Sequence, residues 1–456
     1  KNSTLPTNNN SFFYPSVSLS FVLSEAIKMP KYLPYVKLRG SYANVGSGLT
    51  QTNIGPADRA AGADVTGYGI DYNTPYGGPD FSKSAAYSVS NRYNNQPSAS
   101  YANFIANPDL QPGFSTSWEA GTDLRFFQNR LGIDFTYFKS INGPGIFNLP
   151  ISEASGYNSL IQNGIKFDKT GIELSVTGTP VKSEKFEWNV LANWSTYKDV
   201  LSEIYPGVTT YNQFLQVGDR LDKYYSSKVY RTSDGQIIND GGGRPIVNPV
   251  PQYMGDLNPD WAWGLVNTLR YKNLSLGFQI DGRVGGVIVN YIRKQTFRGG
   301  RNIETVEGAL GEARYQDYKG IKSYIGEGVQ LSGGVIKTDV NGTITNYNEL
   351  QFKPNNTATF LQDYISRWYS TNEANLIDRT YAKLREATLT YALPQTLFKN
   401  SIFQSATISL IGRNLLLISH ATNNDVDVDQ FAAGQTESSL QTPTTRRYGI
   451  NLNIKF

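Results

Sequence analysis

The sequence contains no cysteine, so disulfides and thiolate metal sites are excluded at once. Histidine occurs once, as His420. A histidine-cluster metal centre is therefore excluded as well, and an imidazole-dependent hydrolase would have only that ring to use. Charge of one sign is also scarce: 42 Lys and Arg stand against 38 Asp and Glu in 456 residues, net +4. That excess is too small to argue for a nucleic-acid partner. No run approaches the roughly 18 apolar residues of a spanning helix. This lack says nothing against strands, which cross a bilayer without such a run. Neither a secretion signal nor an initiator methionine opens the chain, which begins Lys1-Asn2-Ser3-Thr4. The expectation is a processed product or a portion of a longer protein.

What is present in quantity is Tyr (30), Gly (43) and aromatic residues generally (13%), at a mean hydropathy of −0.39. This composition suits many strands that bury only alternate side chains. The last stretch is the clearest case. Tyr448, Ile450, Leu452, Ile454 and Phe456 alternate with Gly449, Asn451, Asn453 and Lys455, one face apolar and the other polar. Similar alternation begins after Pro15 at Val17, Leu19, Phe21 and Leu23, and again at Val36, Leu38, Gly40 and Tyr42. Trp118, Ala120, Leu124 and Phe126 oppose Glu119, Gly121, Asp123 and Arg125, and a tight Gln128-Asn129-Arg130 link leads to Leu131, Ile133, Phe135 and Tyr137. About thirty residues of loop are expected before Ile172, Leu174 and Val176. Further strands carry Trp188 and Trp194, Trp263 to Tyr271, Leu274 to Ile280, Tyr381 to Leu393, and Ala406 to Gly412. Two weaker strands are expected near 211–217 and 222–231. The stretch 285–378 shows no sustained period.

Short links and long loops alternate along this list. Outer-membrane barrels sort their connections in this way, with short periplasmic turns and long extracellular loops. Charged faces such as Lys37 and Arg39, or Glu119, Asp123 and Arg125, are too costly to point at lipid and so line a wet interior. An open sheet would strand its edge amides in the membrane. The expected fold class is therefore all-β, a transmembrane antiparallel β-barrel with long extracellular loops, including 46–115 and 285–375. Counting back over about thirteen strands, the first and last run the same way, whereas bacterial barrels pair an even number of strands with two periplasmic ends. An odd number of strands is expected upstream, and residues 1–456 read as the C-terminal part of a larger barrel.

Several blocks in order resemble the β-barrel of SusC/RagA-like TonB-dependent transporters. They are Asn107-Pro108-Asp109-Leu110, Ser117-Trp118-Glu119-Ala120-Gly121, Asn129-Arg130-Leu131-Gly132, Asn163-Gly164 with Lys169-Thr170-Gly171-Ile172-Glu173-Leu174, and Gly255-Asp256-Leu257-Asn258-Pro259-Asp260-Trp261. Lys383-Leu384-Arg385-Glu386 with Tyr391-Ala392-Leu393-Pro394, and Gly412-Arg413-Asn414-Leu415, complete the series. The chain departs from the family where Asp-Pro-Glu is common, having Asp425-Val426-Asp427-Val428-Asp429. The resemblance implies the C-terminal part of a barrel of roughly 22 strands, without the family's plug and early strands. It implies a Gram-negative outer-membrane protein, and energised uptake of oligosaccharides or peptides beneath a SusD-like surface lipoprotein, with the TonB system engaged through the missing N-terminal part. The expected partners are thus that lipoprotein, the TonB system, outer-membrane lipid and the cargo, with no nucleic acid and no cofactor. A passive porin, a surface adhesin and a barrel hydrolase remain as alternatives. Phe456 at the chain end, with Tyr448, Ile450, Leu452 and Ile454, resembles the signal by which outer-membrane proteins are handed to their insertion machinery.

Candidate sites carry two readings each. Tyr68, Tyr72, Tyr76 and Tyr101 in the first long loop could stack on sugars or pack loop against loop. Asp425, Asp427 and Asp429 have the spacing that begins a calcium loop, yet Gln430 and Thr436 stand where such a loop needs Gly and Glu; the other reading is a solvated acidic loop. Trp118, Trp188, Trp194 and Trp263 fit an interfacial girdle. Gly241-Gly242-Gly243 lacks the Lys and Ser/Thr of a phosphate loop and reads as a turn. No catalytic set is legible, and no enzyme is expected.

Overall fold

The computed structural model describes residues 11–47, 87–93, 96–101 and 103–456, except 106, 108, 110, 212–213, 400, 421–425, 433 and 439–441. Its long antiparallel strands are β1 (Ser16–Val22), β2 (Tyr35–Ser47), β3 (Gly113–Phe126), β4 (Leu131–Pro150), β5 (Ser159–Lys182) and β6 (Phe186–Glu203). They continue as β7 (Trp261–Tyr271), β8 (Leu274–Val284), β9 (Tyr381–Ala392), β10 (Ser405–Ser419) and β11 (Arg447–Lys455). Two compact units divide the chain: residues 1–174 with 197–221, and residues 175–196 with 222–456. In the first the strand order is β1-β2-β3-β4-β5-β6; in the second it is β5-β6-β7-β8-β9-β10-β11, with β5 and β6 contributing to both. Each unit is a meander in which sequence neighbours pair.

The connections sort as the sequence suggested. At one end lie 127–130, 183–185 and 272–273, with 23–34 and 393–404 somewhat longer. The tightest need left-handed backbone, supplied by Phe127, Gln128 and Asn129 (φ 50°, 57°, 67°) and by Lys272 (φ 50°). At the other end lie 48–112, 204–260, 285–380 and 420–446, together with the short connection 151–158.

Three expectations change. The thirty-residue loop between Tyr137 and Ile172 is mostly strand: β4 continues to Pro150, β5 begins at Ser159, and only 151–158 connects them. The lipid-facing period vanishes there because the faces meet a local core and solvated pairs instead: Phe147, Ile165, Leu201 and Ile204 are buried together, with Leu149 and Phe167 packed against them. Lys139 on the outer register pairs with Asp168 at 3.1 Å, and Ser140 sits beside Asn142, so no lipid enforces alternation. The weak segments at 211–217 and 222–231 are not long wall strands. Thr210 and Gln216 form an isolated bridge, and Lys223–Ser226 pairs with Gln252–Asp256 in a sheet of its own. Finally, 285–378 holds helices Tyr291–Arg298, Gly308–Tyr318 and Leu361–Trp368 besides short strands. Their shared core is Phe297, Ala313, Leu361 and Ile365.

Outer faces of the strands are apolar and uncovered. Val17, Leu19 and Phe21 on β1, Leu276 on β8, Leu389 on β9, and Ile408 and Leu410 on β10 are all exposed. A soluble protein would bury such rows; a bilayer covers them. Aromatics gather at the strand ends: Trp118 beside Tyr42 (ring centroids 5.9 Å apart) toward the long loops, Tyr271 and Tyr391 toward the short turns. Trp188 is anchored by its indole N–H, which donates to Asn267 (3.0 Å) on the same face.

Candidate functional site

The inner faces carry the charges, and register neighbours pair them. In the first unit Arg39 forks onto Asp134 (Nη1 to Oδ2 2.9 Å, Nη2 to Oδ1 2.6 Å) and also donates to Thr136. The guanidinium reaches across β3 to do so, and it passes over Gly121. A Cβ at that position would lie 2.6 Å from Arg39 Nε. Such a forked pair fixes geometry as well as charge. In the second unit Glu187 accepts from Arg270 (2.7 Å), and Glu386 from Arg413 (2.8 Å). These are solvated pairs, individually weak, and they give the interior a wet, charge-balanced lining.

Some residues of the family-like blocks hold long loops against the wall. Asn163 on β5 donates to Gln111 O and accepts from Gln111 N, both at 2.8 Å, so one side-chain amide imitates a strand partner. Asn107 adds a bond from Nδ2 to Gln162 Oε1 (2.8 Å). These contacts tie Asn107 and Gln111 to the first unit's wall.

The second unit holds a stronger clamp, built on a β-bulge. The ladder between β8 and β9 shifts at Gln279/Ile280, leaving Arg385 as an extra residue between Leu384 and Glu386. A bulge re-aims a side chain, and Arg385 turns onto two carboxylates, Asp281 of β8 and Asp429 of the connection 420–446. Lys383, opposite Asp281 in register, reaches Asp427 Oδ2 at 2.5 Å and Asp429 Oδ2 at 3.2 Å. Tyr381 donates to Asp429 Oδ1 (2.7 Å), and Thr444 to Asp427 Oδ2 (2.7 Å). Burial alone would raise the Asp429 carboxyl, but hydrogen bonds from Arg385 and Tyr381 and the charges of Arg385 and Lys383 hold it well below the usual carboxylate range.

The residues between these acids point the other way. Val426, Val428 and Phe431 pack with Ile288, Ile377 and Tyr381 in one buried cluster. The segment is thus amphipathic with period two, acids to the basic wall and aliphatics to a small core. Arg379 closes it. Its guanidinium is fully buried and donates to Leu257 O (3.0 Å), Phe431 O (2.6 Å) and Ala432 O (2.9 Å). Its main-chain N–H binds Gly286 O at 2.9 Å. Gly286, at φ +86°, lets the backbone run within contact of Leu257. Burial, with the charge of Arg283 nearby, pulls the Arg379 guanidinium down to about 10, still charged at neutral pH.

Of the residues singled out in the sequence, Asp427 and Asp429 are brought together, but not as a solvated loop. Their side chains are 8% and 12% exposed, and their oxygens are engaged by Lys383, Arg385, Tyr381 and Thr444 rather than free to converge on a cation. Asp425 and Tyr68, Tyr72 and Tyr76 lie outside the described residues. Tyr101 is exposed, its ring 6.4 Å from that of Tyr157 and edge-on to it. Tyr448, Ile450, Leu452 and Ile454 share the outer face of β11 in register with β10, and Phe456 lies 6.2 Å from Phe403. Asp240 accepts from Gly242 N (2.8 Å) and Arg244 N (3.1 Å), making Gly241-Gly242-Gly243 a closed turn. His420 follows β10. Sequence reasoning missed Arg379, Lys383 and Arg385 as clamp residues. The signal available was the alternation of Val426 and Val428 with the acids, which marks the acidic stretch as half-buried.

No family model matches the chain. The TonB-dependent receptor P3 of Formosa agariphila is 23% identical over 390 residues, covering 77% of this chain and 35% of that protein. The TonB-dependent receptor SusC of Bacteroides thetaiotaomicron is 22% identical over 258 residues, 50% of this chain and 25% of that receptor. Among solved structures, the RagAB peptide importer in its open-open state superposes with a TM-score of 0.64 at 18% identity, over 100% of this chain and 44% of that one. The chain spans well under half the length of these relatives.

Proposed function

We propose that this SusC/RagA-like chain, which has the fold of an outer-membrane transporter barrel, supplies the C-terminal wall of a barrel for TonB-energised uptake of bulky oligosaccharides or peptides. The observation that supports the reading best is the division of labour between the two strand ends. One end is closed by minimal turns. The other carries long connections whose described parts are clamped to a charge-lined inner face. A passive pore needs no such superstructure, whereas a transporter that captures large cargo needs a shaped, positioned mouth. In this reading a SusD-like surface lipoprotein acts at that mouth. Oligosaccharides and peptides both suit a lining that carries paired charges such as Arg39–Asp134 and Arg270–Glu187 among polar groups. The structure neighbour named as a peptide importer favours neither, since the likeness is one of fold.

The reading assigns the plug and the TonB contact to the portion of the relatives that this chain does not span. It also pairs the wall's edges with further strands. Among the described residues β1 has β2 as its one wall neighbour and β11 has β10, and an edge left open in lipid would strand its N–H and C=O groups. The test is uptake of labelled oligosaccharide and peptide mixtures by cells carrying the complete protein, with the TonB system intact or deleted. Uptake lost with TonB and with the neighbouring lipoprotein supports the proposal. Uptake that persists without TonB makes a passive pore the better reading, and surface binding without uptake an adhesin.

A further inference from the structure

We infer that Arg379 couples three long connections, so that 255–260, 285–289 with 376–380, and 428–432 with 434–438 open and close as one body. The inference is independent of what passes through the barrel. Arg379 belongs to the connection 285–380, yet all three side-chain bonds go elsewhere: to Leu257 O of 204–260, and to Phe431 O and Ala432 O of 420–446. Its own main chain binds Gly286 O, and the next residue, Thr380, accepts from Gly285 N (3.0 Å). Around this node a short ladder holds together the two parts of the second segment, and a further backbone bond joins it to the third. Val287–Val289 pairs with Leu376–Asp378, and Ser438 N donates to Val289 O (2.8 Å). Asp222 O accepts from Leu257 N (2.9 Å), and Asp222 Oδ2 from Asn258 N (2.9 Å), which hold the first segment in place.

The chemistry makes the node all-or-none. A fully buried guanidinium with five donors forms no ion pair among the described residues, and since its Nε is already without a partner the three backbone carbonyls carry all of its compensation, with none to spare. Pulling either neighbouring connection away leaves a buried cation short of acceptors, a state too costly to persist. The guanidinium must then hydrate, which releases the other carbonyls too. Independent opening of one connection is therefore suppressed, and the openings are concerted local unfolding events.

Hydrogen exchange read by mass spectrometry tests this on the complete protein in bilayer nanodiscs, at alkaline pH where exchange follows each opening. Peptides covering the three segments should exchange at one common rate in the native protein. Arg379→Lys keeps the charge but cannot span the separate carbonyls, so it should raise that rate about tenfold or more in all three. Amides of β7 and β10 should be unchanged. Glu373→Gln, which disturbs the carboxylate holding Val229 N (2.8 Å) and Arg231, should affect 229–231 without changing the common rate. Native rates that differ between the segments, or a substitution that accelerates only one, overturn the coupling. If Arg379→Lys prevents insertion, the native rates alone still decide.

Discussion

Replacing Lys383 with Met should undock residues 426–432 while leaving the wall folded. The Lys383 side chain is 3% exposed and that of Asp427 8%, so removing the ammonium strands a carboxylate that keeps only Thr444 and the Asp429 amide as partners. Breaking a buried pair from one side costs about 3–5 kcal/mol, against roughly 0–1 kcal/mol for an exposed one. Where that cost falls depends on what else holds the segment. Val426, Val428 and Phe431 contribute about 1.5–3 kcal/mol each, while ordering the backbone opposes docking by about 1–2 kcal/mol per residue. These terms are comparable across so short a segment, which leaves the ionic network to decide. The β8–β9–β10 ladder does not depend on it. Limited proteolysis and hydrogen exchange in micelles should show 426–432 released with β9 still protected. Lys383→Met combined with Asp427→Asn should recover a measurable part of the loss, because no buried charge is then orphaned. A single variant that stays docked with a loss under about 1 kcal/mol would refute the reasoning, since the pair would then behave as solvated.

Acid should have a related effect. The folded Asp429 carboxyl lies below its unfolded value, so its contribution is complete above about pH 4 and is lost as pH falls through the folded value; proteolysis of 426–432 across pH 2–7 should show this, and Asp429→Asn should flatten the profile. Gly121→Val should break the Arg39–Asp134 fork, because Cβ would meet Arg39 Nε at 2.6 Å and Phe135 O at 2.8 Å; a loss of about 1–3 kcal/mol in urea unfolding is expected, and an unchanged midpoint would contradict it. In this cysteine-free chain Val335→Cys, at an exposed site in a long connection, should react with an impermeant maleimide on intact cells. Leu397→Cys, at the short-turn end, should react only after outer-membrane disruption, and the reverse pattern would invert the orientation.

The wall was legible wherever lipid and water meet opposite faces of one strand. Trp118 to Phe126 and Tyr448 to Phe456 alternate because each residue must choose between a bilayer and a wet interior. Legibility ended where that choice ended. Beyond Lys139 β4 and β5 meet solvated pairs and a small local core around Phe147 and Ile165 rather than lipid, so no sustained period survives, although strand continues to Pro150 and resumes at Ser159. The helices in 285–378 failed for another reason: they are short, and their stability comes from packing Phe297, Ala313, Leu361 and Ile365 together, a non-local fact.

The clamp shows why residues that resemble a family can be visible while their work stays hidden. Lys383-Leu384-Arg385-Glu386 could be recognised as a block, but alternation places Lys383 and Arg385 on the same face as ordinary strand residues. Only the bulge, a property of two strands in register, brings Arg385 onto Asp281 and Asp429 together. The acids were visible too, yet as Asp425, Asp427 and Asp429 they offered a cation site or a solvated loop, because their counter-charges lie in another part of the chain. Their true environment was written in the residues between them. Val426 and Val428 cannot both be buried unless the intervening carboxylate faces something else, and inside a wall that something must be basic. An acidic stretch interleaved with aliphatics in a long barrel loop therefore argues for docking against buried Lys and Arg. Arg379 extends the same logic: a lone Arg before a strand carries no signal by itself, and its role exists only where three distant carbonyls converge on it.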